Sequence, residues 1–177
     1  MRTSFPGIVP AALFIGLSVA SSPAGASLDY KLVDGTSCQP YGPGTTTAEL
    51  TYNQLGITNP GTTNESVLCP MPSDGDVTWG PTPGASAGAN VHYHVGAVAG
   101  RLACTAFVGK ANIGGTTYTV TVNPANSVAG TSSHLTLPLA DSAGWGAGPP
   151  TVLLCTLTPK VTLAAIDFHE MVVTDTP

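Results

Sequence analysis

Charge is the scarcest commodity in this chain. Only 8% of the 177 residues are Asp, Glu, Lys or Arg, against about 25% in ordinary soluble domains. Arg2, Lys31, Arg101, Lys110 and Lys160 are all the basic residues, and they are scattered. No positive stripe is available for a phosphate backbone, so nucleic acid is excluded as a partner. Aromatics are few as well, at 6%. No C-x-x-C occurs, which disfavours a cysteine-built zinc site. Beyond residue 26 no run is apolar enough to span a bilayer, and no window carries a convincing helical period. No block repeats closely enough for a solenoid, and no shift in composition marks a second domain.

What is present begins with a leader. Arg2 supplies a positive start, Ile8 to Ala20 an apolar core too short to cross a membrane, and Ala24-Gly25-Ala26 a small-residue cleavage site. This predicts a secretory signal over residues 1–26 and a single secreted or periplasmic domain over 27–177. Gly, Pro, Thr, Ser and Asn do the solubilising there in place of charge. All 4 cysteines, Cys38, Cys69, Cys104 and Cys155, fall in the exported part. An even count in an oxidising compartment favours two disulfides. Three pairings are open, and sequence does not choose among them. Sequential pairing, Cys38 with Cys69 and Cys104 with Cys155, is the expectation adopted, because it staples each half of the chain.

Period-two alternation dominates the mature chain. Leu28 to Val33, Thr47 to Tyr52, Asp76 to Trp79, Asn90 to Val98, Arg101 to Val108, Thr116 to Val122, His134 to Leu139, Thr151 to Leu157 and Val161 to Val173 all read as strands. Asn53 to Thr63 carries turn chemistry. Pro70 and Pro72 are expected to stop the ladder after Cys69, since proline has no amide to donate. About nine or ten short strands separated by turn signals predict an all-β fold, an antiparallel β-sandwich of Ig-like or jelly-roll-like type.

Cys38-x-Pro40, a Tyr-bearing strand, Gly56-x-x-Asn59 and Val67-x-Cys69-Pro70 together resemble a group of small secreted bacterial β-sandwich proteins. In these a second cysteine pair follows and one final strand closes the chain, an outline that Cys104, Cys155 and Val161 to Val173 match. The group has no assigned activity, so the resemblance carries over no function.

Candidate chemistry is sparse. Gly84-Ala85-Ser86-Ala87-Gly88 matches G-x-S-x-G literally, but a nucleophile elbow needs a strand before it and a helix after it. Here a Pro-Gly loop precedes and a strand follows, which reads as a flexible loop. His92 and His94 sit two apart on one strand, so both imidazoles share a face and could reach one Zn²⁺ or Cu²⁺. His134 or His169 could add a nitrogen, and Asp167 or Glu170 a carboxylate. The plainer reading is two polar residues on a solvated face. Asp74 and Asp76 suggest a Ca²⁺ loop or simply a turn with solvated carboxylates. Trp79 and Trp145 lie beside glycine- and proline-rich loops, where an exposed indole could stack on a sugar, or where each ring could plug the end of the core. Paired catalytic carboxylates are not evident, and no cofactor is implied. The sequence therefore predicts a secreted, non-catalytic structural or interaction protein whose partner is an extracellular protein or glycan. A carbohydrate-binding module using Trp79 or Trp145 is the first alternative. A metal-binding protein using His92 and His94 is the second.

Overall fold

The computed structural model describes residues 26–42, 49–73, 79–80, 82, 84, 87–97, 100–109, 116–121, 128–140 and 151–173, with backbone only at 26–27, 116–121 and 172–173. Eleven strands are found among them: β1 (Ala26–Asp34), β2 (Gln39–Pro40), β3 (Thr51–Asn53), β4 (Gly56–Thr58), β5 (Glu65–Met71), β6 (Ala87–Val95), β7 (Leu102–Val108), β8 (Thr116–Thr121), β9 (Ser132–Leu139), β10 (Thr151–Leu157) and β11 (Val161–Val173). A single 3₁₀ turn, Gly35–Ser37, follows β1. The strands form two antiparallel sheets. The five-stranded one runs β2-β5-β10-β7-β8, and the six-stranded one runs β3-β4-β11-β6-β9 with β1 also on β11. None of the described residues forms a helix long and apolar enough to cross a membrane.

Alternation decides which faces meet. Val67, Cys69 and Met71 of β5, Leu102, Cys104, Ala106 and Val108 of β7, and Leu153, Cys155 and Leu157 of β10 are buried from one side. Val91, Tyr93 and Val95 of β6, Leu135, Leu137 and Leu139 of β9, and Leu163, Ile166 and Phe168 of β11 answer them from the other. Each row is every second residue of its strand, as two inner sandwich faces require, except on β11, where a register shift between Leu163 and Ala165 adds one residue between Leu163 and Ile166.

Both disulfides pair as expected, Cys38–Cys69 and Cys104–Cys155. Each staples its own half of the chain, and both do so within one layer. Cys155 lies directly opposite Cys104 on the neighbouring strand. Cys38 stands one position before Gln39, which pairs with Leu68. Both bridges therefore lie within the five-stranded sheet, between adjacent segments, and neither joins the two layers.

Three local expectations are corrected. Pro70 does not stop the ladder, because β5 continues to Met71 with Pro70 opposite Val152. The Cα separation of 4.1 Å at Cys104/Cys155 marks a non-hydrogen-bonded pair. Counting along β10 from there, Pro70 turns its missing N–H away from β10, to an edge that β2 has already left. The strand expected over Thr47 to Tyr52 starts only at Thr51, with Glu49 and Leu50 in a turn and bend. Leu50 is buried and Tyr52 exposed, so they do not share an inward face. The stretch expected to be all turn contains β4, joined to β3 by the two-residue turn Gln54-Leu55.

Strand β11 organises the six-stranded sheet. β6 lies along one side. On the other side β4 pairs with Thr162 and Leu163, and β1 takes over from Ala165 onward. The ladder with β6 shifts register between Leu163 and Ala165, a bulge at the point where partners change. Gly35 and Gly56 both press against the Leu163 carbonyl there, and a Cβ on either would collide with it. Gly56 also has φ +118°, a conformation open only to glycine without strain.

Candidate functional site

The outward face of the six-stranded sheet carries the polar side chains that the core rejects. On β6 these are Asn90, His92 and His94, alternating with buried Val91, Tyr93 and Val95. Register then places Asn90 opposite Thr136, His92 opposite His134, and His94 opposite Ser132 on β9. The Thr136 hydroxyl donates to Asn90 Oδ1 at 2.8 Å. His94 Nδ1 and the Ser132 hydroxyl hydrogen-bond at 3.1 Å. The rings of His92 and His134 face each other with centroids 5.9 Å apart. These three histidines, with Ser132, Ser133 and Ala164, line a shallow depression of about 270 Å³.

A second depression adjoins it. Thr162 on β11 is directly opposite His94 and lines a groove of about 570 Å³ with Thr58, Thr62, Ala97, Pro159 and Lys160. The Thr162–His94 pairing sets the two depressions side by side on this face, and the pair is called the trough. Thr58 and Thr162 share a hydroxyl hydrogen bond of 2.7 Å. Pro159 and Ala97 give the groove an apolar wall. Lys160, the cation among the described lining residues, gives its Nζ to the Pro60 carbonyl.

The loop forming this wall is held by Asn59, which is fully buried. Its side-chain amide donates to the Thr63 carbonyl at 2.7 Å and the Leu157 carbonyl at 2.9 Å, and its Oδ1 accepts from the Gly61 N–H at 2.9 Å. Its backbone bonds Val161 and Lys160. Asn59 thus ties the loop after β4 to the β10–β11 turn. Gly56 and Asn59, the Gly-x-x-Asn pair of the sequence pattern, both have structural tasks here. Sequence reading placed Asn59 only in a turn, because nothing local shows that the turn folds back on two distant strands.

A further polar cluster sits inside the sandwich. Glu170 on β11 is fully buried. It accepts from Lys31 Nζ and, at 3.0 Å, from Trp79 Nε1. Lys31 also pairs with Asp29 at 3.2 Å, and the Trp79 ring packs on Phe168. Trp79 is only 3% exposed. That corrects its candidacy as a sugar-stacking platform: its indole fills the core and satisfies a buried carboxylate.

The remaining predicted residues divide clearly. His92 and His94 do point outward on one face, and His134 joins them. His169 does not, because its ring lies over Gly88 and beside Tyr30. Glu170 faces the opposite side of the strand. Among the described residues no group of three or more His, Cys, Asp or Glu side chains is gathered to hold a metal ion. Trp145, Asp74, Asp76, Ala85, Ser86 and the leader up to residue 25 lie outside the described residues, and Gly84 forms a turn with φ +73°.

No family model matches the chain, and no curated protein does. Solved structures with a loose likeness include a mutant Xylanase10C from Cellvibrio japonicus in complex with xylopentaose, at 12% identity and TM-score 0.44, covering 82% of this chain and 29% of that one. A carbohydrate-binding module of the β-sandwich superfamily gives 8% identity and TM-score 0.41, over 85% of this chain and 57% of its own. Infectious bursal disease virus, strain Gt, gives 14% and 0.42, over 100% and 41%. The chain spans less than two thirds of the length of each. Likeness at this level concerns β-sandwich architecture alone.

Proposed function

We propose that this chain is an exported, non-catalytic binding protein that takes a neutral glycan along the trough on the outer face of its six-stranded sheet. The observation that carries this is the lining. Apolar Pro159 and Ala97 stand beside the hydroxyls of Thr58, Thr62 and Thr162, followed by His94, Ser132, His92 and His134. A sugar offers the matching pair of surfaces, C–H faces and hydroxyls, and needs no ionic partner. The described lining holds no carboxylate, hence no acid–base pair for glycosidic cleavage, which favours binding over hydrolysis. Two disulfides suit an extracytoplasmic setting. Tryptophan stacking at Trp79 plays no part in this reading.

The test is titration of the oxidised protein with soluble and insoluble neutral glycans, alongside Ala97→Trp and His94→Ala. Ala97 is exposed, so its replacement blocks the groove and leaves the core intact. At least a tenfold loss of affinity is expected from either variant, about 1.4 kcal/mol, with unchanged melting. Binding that ignores both variants, or no binding across the panel, overturns the reading.

The facing rings of His92 and His134, 5.9 Å apart, favour a second reading, a two-imidazole surface site for Cu²⁺ or Zn²⁺. Metal uptake lost in His134→Ala and retained in Ala97→Trp would support it. Uptake indifferent to both His92→Ala and His134→Ala would exclude it.

A further inference from the structure

Strand β1 is nine residues long and pairs along one side with β11. Among the described residues no strand pairs with its other side. Long open edges are normally blunted by proline, a bulge or charge. From Leu28 to Leu32 β1 has no proline, no bulge and no outward charge; its outward carboxylate, Asp34, stands at the far end of the strand and caps the 3₁₀ turn. Over that stretch the outward side chains are Leu28, Tyr30 and Leu32, which are 50%, 61% and 75% exposed. Asp29 and Lys31, the charged side chains between these, lie on the other face, where Lys31 reaches buried Glu170.

The order of these residues is symmetric. Leu28-Asp29-Tyr30-Lys31-Leu32 has a leucine at each end, an aromatic at the centre, and opposite charges on either side of it. Two copies laid antiparallel with Tyr30 against Tyr30 bring Leu28 of each against Leu32 of the other. The same register brings Asp29 of each against Lys31 of the other. Within residues 28–32 each outward pair is then apolar and each inward pair oppositely charged, the two kinds of cross-strand pair that stabilise a sheet. Centring the pairing one residue earlier opposes Asp29 to Asp29, and one residue later opposes Lys31 to Lys31. The charges thus select one register.

We infer that β1 is a homodimerisation edge, and that two copies join antiparallel across a two-fold axis at Tyr30 to make one continuous sheet. Such an interface is isologous and closes on itself, so it yields dimers and not fibres. It also sets both outer faces on the same side of the joined sheet. The buried surface is that of one strand pair and its flanking side chains, at the small end of specific interfaces, so the dimer is expected to depend on concentration.

Sedimentation of the oxidised, exported protein over a range of concentration tests this, with Leu28→Lys plus Leu32→Lys and Leu28→Glu plus Leu32→Glu as paired variants. Both leucines are exposed, so circular dichroism and melting should match the parent. The parent is expected to move from monomer to twice the mass as concentration rises. Each variant alone should stay monomeric, since like charges then face each other. An equimolar mixture should regain the dimer, because the lysines of one copy then face the glutamates of the other. A parent that is monomeric up to millimolar concentration overturns the inference. So does a dimer that survives in either variant alone, or a mixture that fails to associate.

Discussion

The buried carboxylate of Glu170 offers the sharpest test of how this sandwich is held. It lies between Lys31 on the edge strand and the indole of Trp79, so it links β1 to the core by charge and by hydrogen bond. Glu170→Met leaves the Lys31 ammonium, whose side chain is only 18% exposed, without this counter-charge, and leaves the indole N–H without this acceptor. Breaking a buried pair from one side costs roughly 3–5 kcal/mol, a large share of the 5–15 kcal/mol typical of a domain. Lys31→Met should cost a similar amount, because it takes this counter-charge from the buried carboxylate. Replacing both by methionine removes both charges and leaves chiefly the indole unpaired, at about 1–3 kcal/mol. The double variant is therefore expected to be more stable than either single one. Urea unfolding with disulfides intact reads this directly. With a slope near 2 kcal/mol per molar, a loss of 4 kcal/mol moves the midpoint by about 2 M. A Glu170→Met midpoint within about 0.5 M of the parent, or a double variant as unstable as the two single losses summed, would refute the argument.

Asn59→Ala removes three side-chain hydrogen bonds from a fully buried site. It should cost roughly 2–4 kcal/mol by urea unfolding and loosen the trough wall, so glycan affinity should fall along with stability. Replacing Cys38 and Cys69 by Ala, or Cys104 and Cys155 by Ala, opens loops with separations of 31 and 51 residues. Each pair should cost about 4 kcal/mol on the chain-entropy model, measured by thermal melting. Asp34 caps the 3₁₀ turn by accepting from the Thr36 N–H at 2.7 Å, which holds its carboxyl below its ordinary 3.8. A depressed acid adds stability that is complete above its unfolded value and vanishes as pH falls through the folded one. The melting temperatures of Asp34→Ala and the parent should therefore differ at neutral pH and converge in strong acid.

Most strands were legible because period-two burial is a local signal. Val91, Tyr93 and Val95 announce their inward side without help from the rest of the chain. Failures occurred where pairing partners mattered. Pro70 resembles a stop until the neighbouring ladder shows that its missing N–H faces an open edge. Gly56 to Thr58 resembles turn because a three-residue strand exists only through its pairing with β3 and β11. Trp79 resembles a surface platform because its flanks are Gly and Pro, whereas a buried carboxylate 91 positions away draws its indole inside.

Sequence by itself determined the all-β class and the outward pairing of His92 with His94. The scarcity of charge and the alternation are properties of composition and of neighbours, and need no long-range contact. The symmetric order of residues 28–32 is also written in the chain, but only the fold exposes it on an edge. Tertiary structure decided the rest. It set His134 beside His92, brought two depressions side by side through the Thr162–His94 pair, buried Glu170 with Lys31 and Trp79, and placed both disulfides within one sheet. Each of these is a register or layer relation between strands far apart in the chain, and the free energy that selects among registers comes from packing the whole sandwich.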